Sequence, residues 1–115
     1  MKCIYTFTDK TNGKKTSCSR SVFGSCKLCV FHSPNVKGKA SAFQSALAEL
    51  LGNAFADHAD LDFKGFIFPR ADFQGYSFWG VADFRAANFS EDVDFRGATF
   101  HQQADFHTTE FSGNI

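Results

Sequence analysis

Ten phenylalanines constrain the second half of this chain. Between Leu61 and Gly113 they fall at Phe63, Phe68, Phe73, Phe78, Phe84, Phe89, Phe95, Phe100, Phe106 and Phe111, with gaps of 5, 5, 5, 6, 5, 6, 5, 6 and 5. A short period held this long is the signature of a chain that stacks on itself. The residue two before each Phe is small or apolar in most units: Ala71, Ala82, Ala87, Val93, Ala98 and Ala104. Leu61, Phe66 and Tyr76 are bulky variants and Thr109 a polar one. Neither a helical stripe nor a plain strand alternation accounts for this spacing. A pair such as Ala71 and Phe73 shares one face with period two, and then the chain must turn. A turn in every five residues winds the backbone into a coil, and pairing then runs between coils at the strand spacing of ~4.8 Å.

The units Ala71-Asp72-Phe73-Gln74-Gly75, Ala82-Asp83-Phe84-Arg85-Ala86, Ala87-Asn88-Phe89-Ser90-Glu91 and Ala104-Asp105-Phe106-His107-Thr108 resemble the pentapeptide-repeat family. Its loose consensus is a small residue, Asp or Asn, Leu or Phe, and two variable residues. The resemblance implies a mainly β fold, a right-handed four-sided β-solenoid of about 2.5 coils. It also implies that Phe63, Phe84 and Phe106 stack on one side and Phe68, Phe89 and Phe111 on the next, with Phe73 over Phe95 and Phe78 over Phe100. Three gaps carry an extra residue, at Val81, Asp92 and Gln103. These are expected to stack as bulges at two opposite corners. Pro69 follows Phe68 where a missing N–H is tolerated. Gly65, Gly75, Gly80, Gly97 and Gly113 end their units, where a turn needs conformational freedom.

Charge divides the chain. Residues 1–56 hold eight Lys/Arg against two Asp/Glu, and residues 57–115 hold four against ten. The reading is a basic head over 1–39, a helix over 40–56 and an acidic solenoid over 57–115. No apolar run is long enough to cross a bilayer and no signal segment opens the chain, so a cytoplasmic location is the default expectation.

In the head, Cys3, Cys18, Cys26, Cys29 and His32 lie within thirty residues. Cys26-Lys27-Leu28-Cys29-Val30-Phe31-His32 contains both a C-x-x-C and a C-x-x-H. Thiolates and an imidazole at such spacings suit a tetrahedral structural Zn2+. The segment has few large apolar residues, so metal binding would supply its folding free energy. Five candidates compete for four places. The ending Cys29-Val30-Phe31-His32-Ser33-Pro34 resembles the small Cys-rich knuckle that precedes the repeats in some pentapeptide-repeat proteins. That resemblance implies Cys3, Cys18, Cys29 and His32 as ligands with Cys26 spare; the rival set is the four cysteines. Either set fills a tetrahedron and leaves no place for a catalytic water.

Ser41-Ala42-Phe43-Gln44 reads as a capping box opening a helix, Gly52-Asn53 as its stop, and Leu47, Leu50, Leu51 and Phe55 as a plug over the first coil. On the solenoid, the residue before each odd-numbered Phe is acidic: Asp62, Asp72, Asp83, Asp94 and Asp105. Lys64, Arg85 and Arg96 follow two residues after three of them. An acid–base ladder on a solvated sheet is the plainer expectation. His58, His101 and His107 are scattered, and no nucleophile–base, paired-carboxylate or phosphate-loop pattern occurs, so no enzyme is expected.

These features point to a non-enzymatic structural or interaction module with an undetermined protein partner. The family resemblance supplies a second reading, a DNA mimic directed at a type II topoisomerase such as DNA gyrase. The basic head supplies a third, a zinc-knuckle nucleic-acid adaptor through Lys10, Lys14, Lys15, Arg20, Lys27, Lys37 and Lys39; these lysines form no dense run, so nucleic-acid contact is the weaker expectation. The uncapped C-terminal coil suggests a homodimer or a longer chain. No membrane partner is expected.

Overall fold

The computed structural model describes residues 1–9, 11–18, 20–23 and 27–113. Cys26 and Lys10 lie outside the described residues. The chain opens with an antiparallel hairpin, β1 (Thr6–Thr8) and β2 (Lys15–Ser17), followed by one helix, α1 (Val36–Asp57). Ten two-residue strands follow, all paired in parallel across the repeat. β3 (Leu61–Asp62), β7 (Ala82–Asp83) and β11 (Ala104–Asp105) form one ladder; β4 (Ile67–Phe68), β8 (Asn88–Phe89) and β12 (Glu110–Phe111) form another. β5 (Ala71–Asp72) pairs β9 (Val93–Asp94), and β6 (Ser77–Phe78) pairs β10 (Thr99–Phe100). The fold is mainly β, with parallel strand stacks and one helix. In tiers, β3 to β6 come first, β7 to β10 second, β11 and β12 third. No described helix is long and apolar enough to cross a membrane.

The register explains the rings. Phe63 stacks on Phe84 at 4.6 Å and Phe84 on Phe106 at 4.7 Å. Phe68 stacks on Phe89 at 4.4 Å and Phe89 on Phe111 at 5.0 Å. Phe73 lies over Phe95 at 5.1 Å and Phe78 over Phe100 at 4.5 Å. Neighbouring columns meet edge to face, as Phe73 meets Phe84 at 89°. A ring's negative face and positive edge favour both arrangements, and each ring removes ~150–250 Å² from water.

Turns close the units from Phe63 to Phe66, Phe73 to Tyr76, Phe84 to Ala87, Phe95 to Ala98 and Phe106 to Thr109, each by a bond from the last N–H to the first carbonyl. The third residue of each holds positive φ: Gly65, Gly75, Ala86, Gly97 and Thr108. That is the type II pattern, which favours glycine at this place. Gly80 and Gly113 differ from expectation. Their φ is not positive; instead a Cβ at Gly80 would strike the Ala59 backbone, and one at Gly113 the Glu91–Asp92 backbone. The extra residues leave the register intact: the carbonyls of Val81, Asp92 and Gln103 accept the N–H groups of Leu61, Ala71 and Ala82 at 2.8, 3.1 and 3.0 Å. Between the pairs Phe68–Phe89 and Ala71–Val93, residues 90–92 of the second tier stand against 69–70 of the first.

The helix begins four residues before the expected 40–56 span and ends one residue after it. Asn35, not Ser41, caps it: the Asn35 side-chain oxygen accepts the Gly38 N–H at 3.1 Å. Gln44 does not reach back to a cap; its Nε2 donates to the Arg70 carbonyl. The helix passes through Gly52-Asn53 to a left-handed His58. A helical glycine costs only about 1 kcal/mol, and Ala54, buried beyond it, holds the last turn down. The plug also changes. Phe43 and Leu47 are buried, Leu50 and Leu51 half-buried, and Phe55 is 48% exposed. Phe43 meets Phe68 edge-on at 5.4 Å, Phe31 stacks on Phe66 at 4.4 Å, and the Ile67 N–H donates to the Phe31 carbonyl at 2.8 Å. Head, helix and first tier thus share one core. Within it Lys39 is fully buried, its Nζ donating to the Phe31 carbonyl at 3.4 Å.

Candidate metal centre

The hairpin and the turn before α1 bring four distant side chains to one point. Cys3 enters beside β1, held by its N–H to the Arg20 carbonyl at 2.8 Å. Cys18 follows β2, its N–H donating to the Tyr5 carbonyl at 3.0 Å. Cys29 and His32 sit on one tight turn, in which the N–H groups of His32 and Ser33 both donate to the Cys29 carbonyl. The ligand atoms of Cys3, Cys18, Cys29 and His32 all lie within 4.8 Å of one another. Cys29 Sγ is 3.2 Å and Cys3 Sγ 3.5 Å from His32 Nδ1, and Cys18 Sγ is 3.9 Å from Cys29 Sγ. A zinc tetrahedron with Zn–S ~2.3 Å and Zn–N ~2.0–2.1 Å has edges of about 3.8 Å (S to S) and 3.6 Å (S to N). The cluster is close to these dimensions, and its four side chains could hold a metal ion.

Its surroundings also fit a cation. His32 Nε2 donates to the Lys64 carbonyl at 3.0 Å, which leaves the Nδ1 lone pair facing the sulfurs. A ligating histidine is commonly oriented by such an outer acceptor. Burial pushes the Cys29 thiol up to about 12, with the neighbouring Cys18 and Cys3 charges adding to it. Burial lowers His32, so its imidazole is neutral at neutral pH. Cys18 is lowered: burial opposes ionisation, but the Arg20 N–H and guanidinium outweigh it. Three thiolates do not ionise side by side without a positive partner, and a bound cation inverts that balance.

The centre faces the repeat. The Tyr5 ring lies flat on His32, centroids 4.0 Å apart and planes within 8°. Arg20 lies over Phe31 and Phe66 at 4.8 and 5.3 Å. Tyr5, Arg20 and Lys64 were not singled out as parts of this centre by the sequence.

Residues 63–110 match the family model described as Pentapeptide repeats (9 copies). The match runs from just after β3 into β12, so it covers most of the stacked tiers and excludes the head and helix. No curated protein and no solved structure matches the chain.

The acidic side chains of the tiers have a local task. Asp62, Asp72, Asp83, Asp94 and Asp105 each accept, through one oxygen, the N–H of the residue two further on, at 2.9–3.1 Å. This Asx geometry sets the turn that follows each strand. In Asp62, Asp83 and Asp94 the other oxygen pairs with a cation: Lys64 with Asp62 at 2.9 Å and Asp83 at 3.6 Å, Arg85 with Asp83 at 2.7 Å, and Arg96 with Asp94 at 2.8 Å. Arg85 also reaches Asp9 of the head at 2.8 Å. The histidines are less scattered than their spacing suggests. His58 and His101 sandwich Trp79, with centroids 4.6 and 4.0 Å away. His107 stands apart from them, on the β11 side.

Proposed function

We propose that the chain is a non-enzymatic structural and interaction module. In this reading its repeats form a right-handed, four-sided solenoid of about two and a half coils, since two of the four parallel ladders hold three strands and two hold two. A capping helix seals the first coil, and a basic head is held by a structural zinc on Cys3, Cys18, Cys29 and His32. The observation that carries the reading is the convergence of those four ligand atoms within 4.8 Å, with the second nitrogen of His32 tied to the repeat at Lys64. The zinc is a fastener between head and solenoid. Four protein ligands leave it no open position for a substrate.

A second copy stacking on the far end, where Phe106 and Phe111 are each 36% exposed, is the proposed homotypic contact. The DNA-mimic reading is less favoured because Asp62, Asp83 and Asp94 are already paired with Lys64, Arg85 and Arg96. One preparation tests the proposal. Elemental analysis is expected to find one zinc per chain, lost in Cys29→Ser and kept in Cys26→Ser. Sedimentation is expected to show a mass that rises with concentration. Zinc lost in both variants but kept in His32→Ala would transfer the site to the four-cysteine set; no zinc in the unsubstituted chain would end the reading. A DNA-supercoiling inhibition assay separates the topoisomerase alternative.

A further inference from the structure

The outer edge of the head hairpin borders a groove that the fold leaves unfilled. In β1–β2, Thr6 faces Ser17 and Thr8 faces Lys15. The flanking bonds run from Cys18 N–H to the Tyr5 carbonyl and from Asp9 N–H to the Lys14 carbonyl. Bonded and non-bonded pairs alternate along an antiparallel ladder. The N–H and C=O groups of Thr6 and Thr8 therefore point away from β2. The alternate side chains Phe7 and Asp9 turn to the repeats: Phe7 lies under Arg85 at 5.0 Å, and Asp9 accepts from Arg85 at 2.8 Å.

The hairpin thus lies across the tiers. Thr16 and Ser17 of β2 share a recess with Asp62 and Lys64 of the first tier. β1 adjoins Arg85 of the second tier. Beyond β1, the groove of about 600 Å³ is walled by Thr6, Thr8, Asp105, His107 and Thr108, the last three from the third tier. Strands in a sheet and tiers in a stack share a spacing of ~4.8 Å. A third strand beside β1 would continue the head–repeat contact onto that tier.

Charge identifies what fits there. The residue two after the ladder aspartate is Lys64 in the first tier and Arg85 in the second, but His107 in the third. Histidine is a weaker cation at neutral pH than either. Asp105 is left with Arg85 at 3.8 Å, a guanidinium already committed to Asp83 and Asp9 at 2.7 and 2.8 Å. Four carboxylates on this face, Asp9, Asp62, Asp83 and Asp105, share the two full cations Lys64 and Arg85.

We propose that this groove receives an extended, basic peptide segment of a partner protein, which adds to β1 as a third strand and directs a Lys or Arg at Asp105. Main-chain bonds to Thr6 and Thr8 hold the strand, and its alternate side chains read the tier, the usual division of work when a strand is added at a sheet edge. The inference deepens the interaction-module reading by naming a surface and a class of partner.

The test is an amide-resolved NMR titration of the zinc-loaded full chain with a blocked heptapeptide of alternating lysine and valine. The amides of Thr6, Thr8, Asp105 and His107 are expected to shift along one saturating curve. Glutamate in place of lysine weakens binding about tenfold or more, and Asp105→Asn, which keeps the acceptor for the His107 N–H, weakens it about fivefold. Methylating alternate peptide nitrogens abolishes it. Shifts that ignore Thr6 and Thr8, or an equal response to the glutamate peptide, would overturn the proposal. So would shifts at these amides that follow protein concentration without peptide, since a second copy would then be the occupant. A folded, zinc-loaded protein that shows no shift removes this surface and leaves the module reading intact, whereas the zinc and sedimentation measurements address that reading directly.

Discussion

Gly65 and Gly75 occupy the same turn position in successive odd-numbered units, with φ of +67° and +71°. A Cβ at Gly75 meets nothing, while one at Gly65 would collide with the Tyr5 ring. The pair separates backbone strain from head docking. Gly75→Ala is expected to cost the strain alone, roughly 1–2 kcal/mol. Gly65→Ala carries the same strain and also displaces Tyr5 from His32, so it should cost more and loosen the zinc. Urea denaturation and zinc retention measured on both variants check this; equal losses with zinc undisturbed would show that Tyr5 does not dock the head. Tyr5 also shows where the sequence stops being informative. Cys3, Cys18, Cys29 and His32 were legible as a group because Cys and His at short spacings have few structural alternatives. Tyr5 was not, since nothing local distinguishes an aromatic that stacks on a histidine twenty-seven residues away. The aspartates were legible as a charged ladder but not as turn caps, a role that depends on the backbone each one meets.

Among the elements, the parallel strands were legible and the ends of the helix were not. Phenylalanine every five or six residues admits few foldings, because ten large rings need a common interior. The helix start was hidden because Asn35 caps a first turn that contains Gly38, a poor helix former, while Ser41 and Gln44 imitate a start six residues later. The ladder joining β3, β7 and β11 to the head has a further consequence, in acid. Burial raises Asp83, but the Arg85 hydrogen bonds and the Lys64 charge outweigh it and hold the carboxyl below its ordinary range. Asp9 is lowered to about 2 by the Thr11 hydroxyl and N–H and by Arg85. Such a carboxyl takes up its proton later in the folded chain than in the unfolded one. Its stabilisation is complete above the unfolded value of about 3.9 and is lost as pH falls through the folded value. Urea midpoints are therefore expected to fall between about pH 4 and pH 2. Asp83→Asn keeps the acceptor for the Arg85 N–H and removes the charge, so it should flatten that decline while lowering the midpoint at pH 7. An unchanged acid slope in Asp83→Asn would mean that this ladder does not govern acid stability.

The whole molecule is asymmetric along its stack. Phe63, Phe68, Phe73, Phe78, Phe84 and Phe89 are at most 1% exposed, Phe95 and Phe100 are half-buried, and Phe106 and Phe111 reach 36%. The Cys/His cluster, Phe31 and Phe43 all press on the first tier, so the end that carries the head is also the drier one. Tiers that touch only their neighbours respond to a perturbation in order of distance. The Ile67 amide donates to the Phe31 carbonyl at 2.8 Å and so reports head docking, whereas the Phe84 amide donates to the Asp105 carbonyl at 2.8 Å, wholly within the repeats. Removing the metal with a chelator is expected to speed hydrogen exchange at Ile67 by about tenfold or more and at Phe84 by less than about threefold. Acceleration of both amides by one factor would show instead that the head and the tiers open together. The zinc would then be holding up the entire stack, and the head could not be treated as a part fastened onto a self-supporting solenoid.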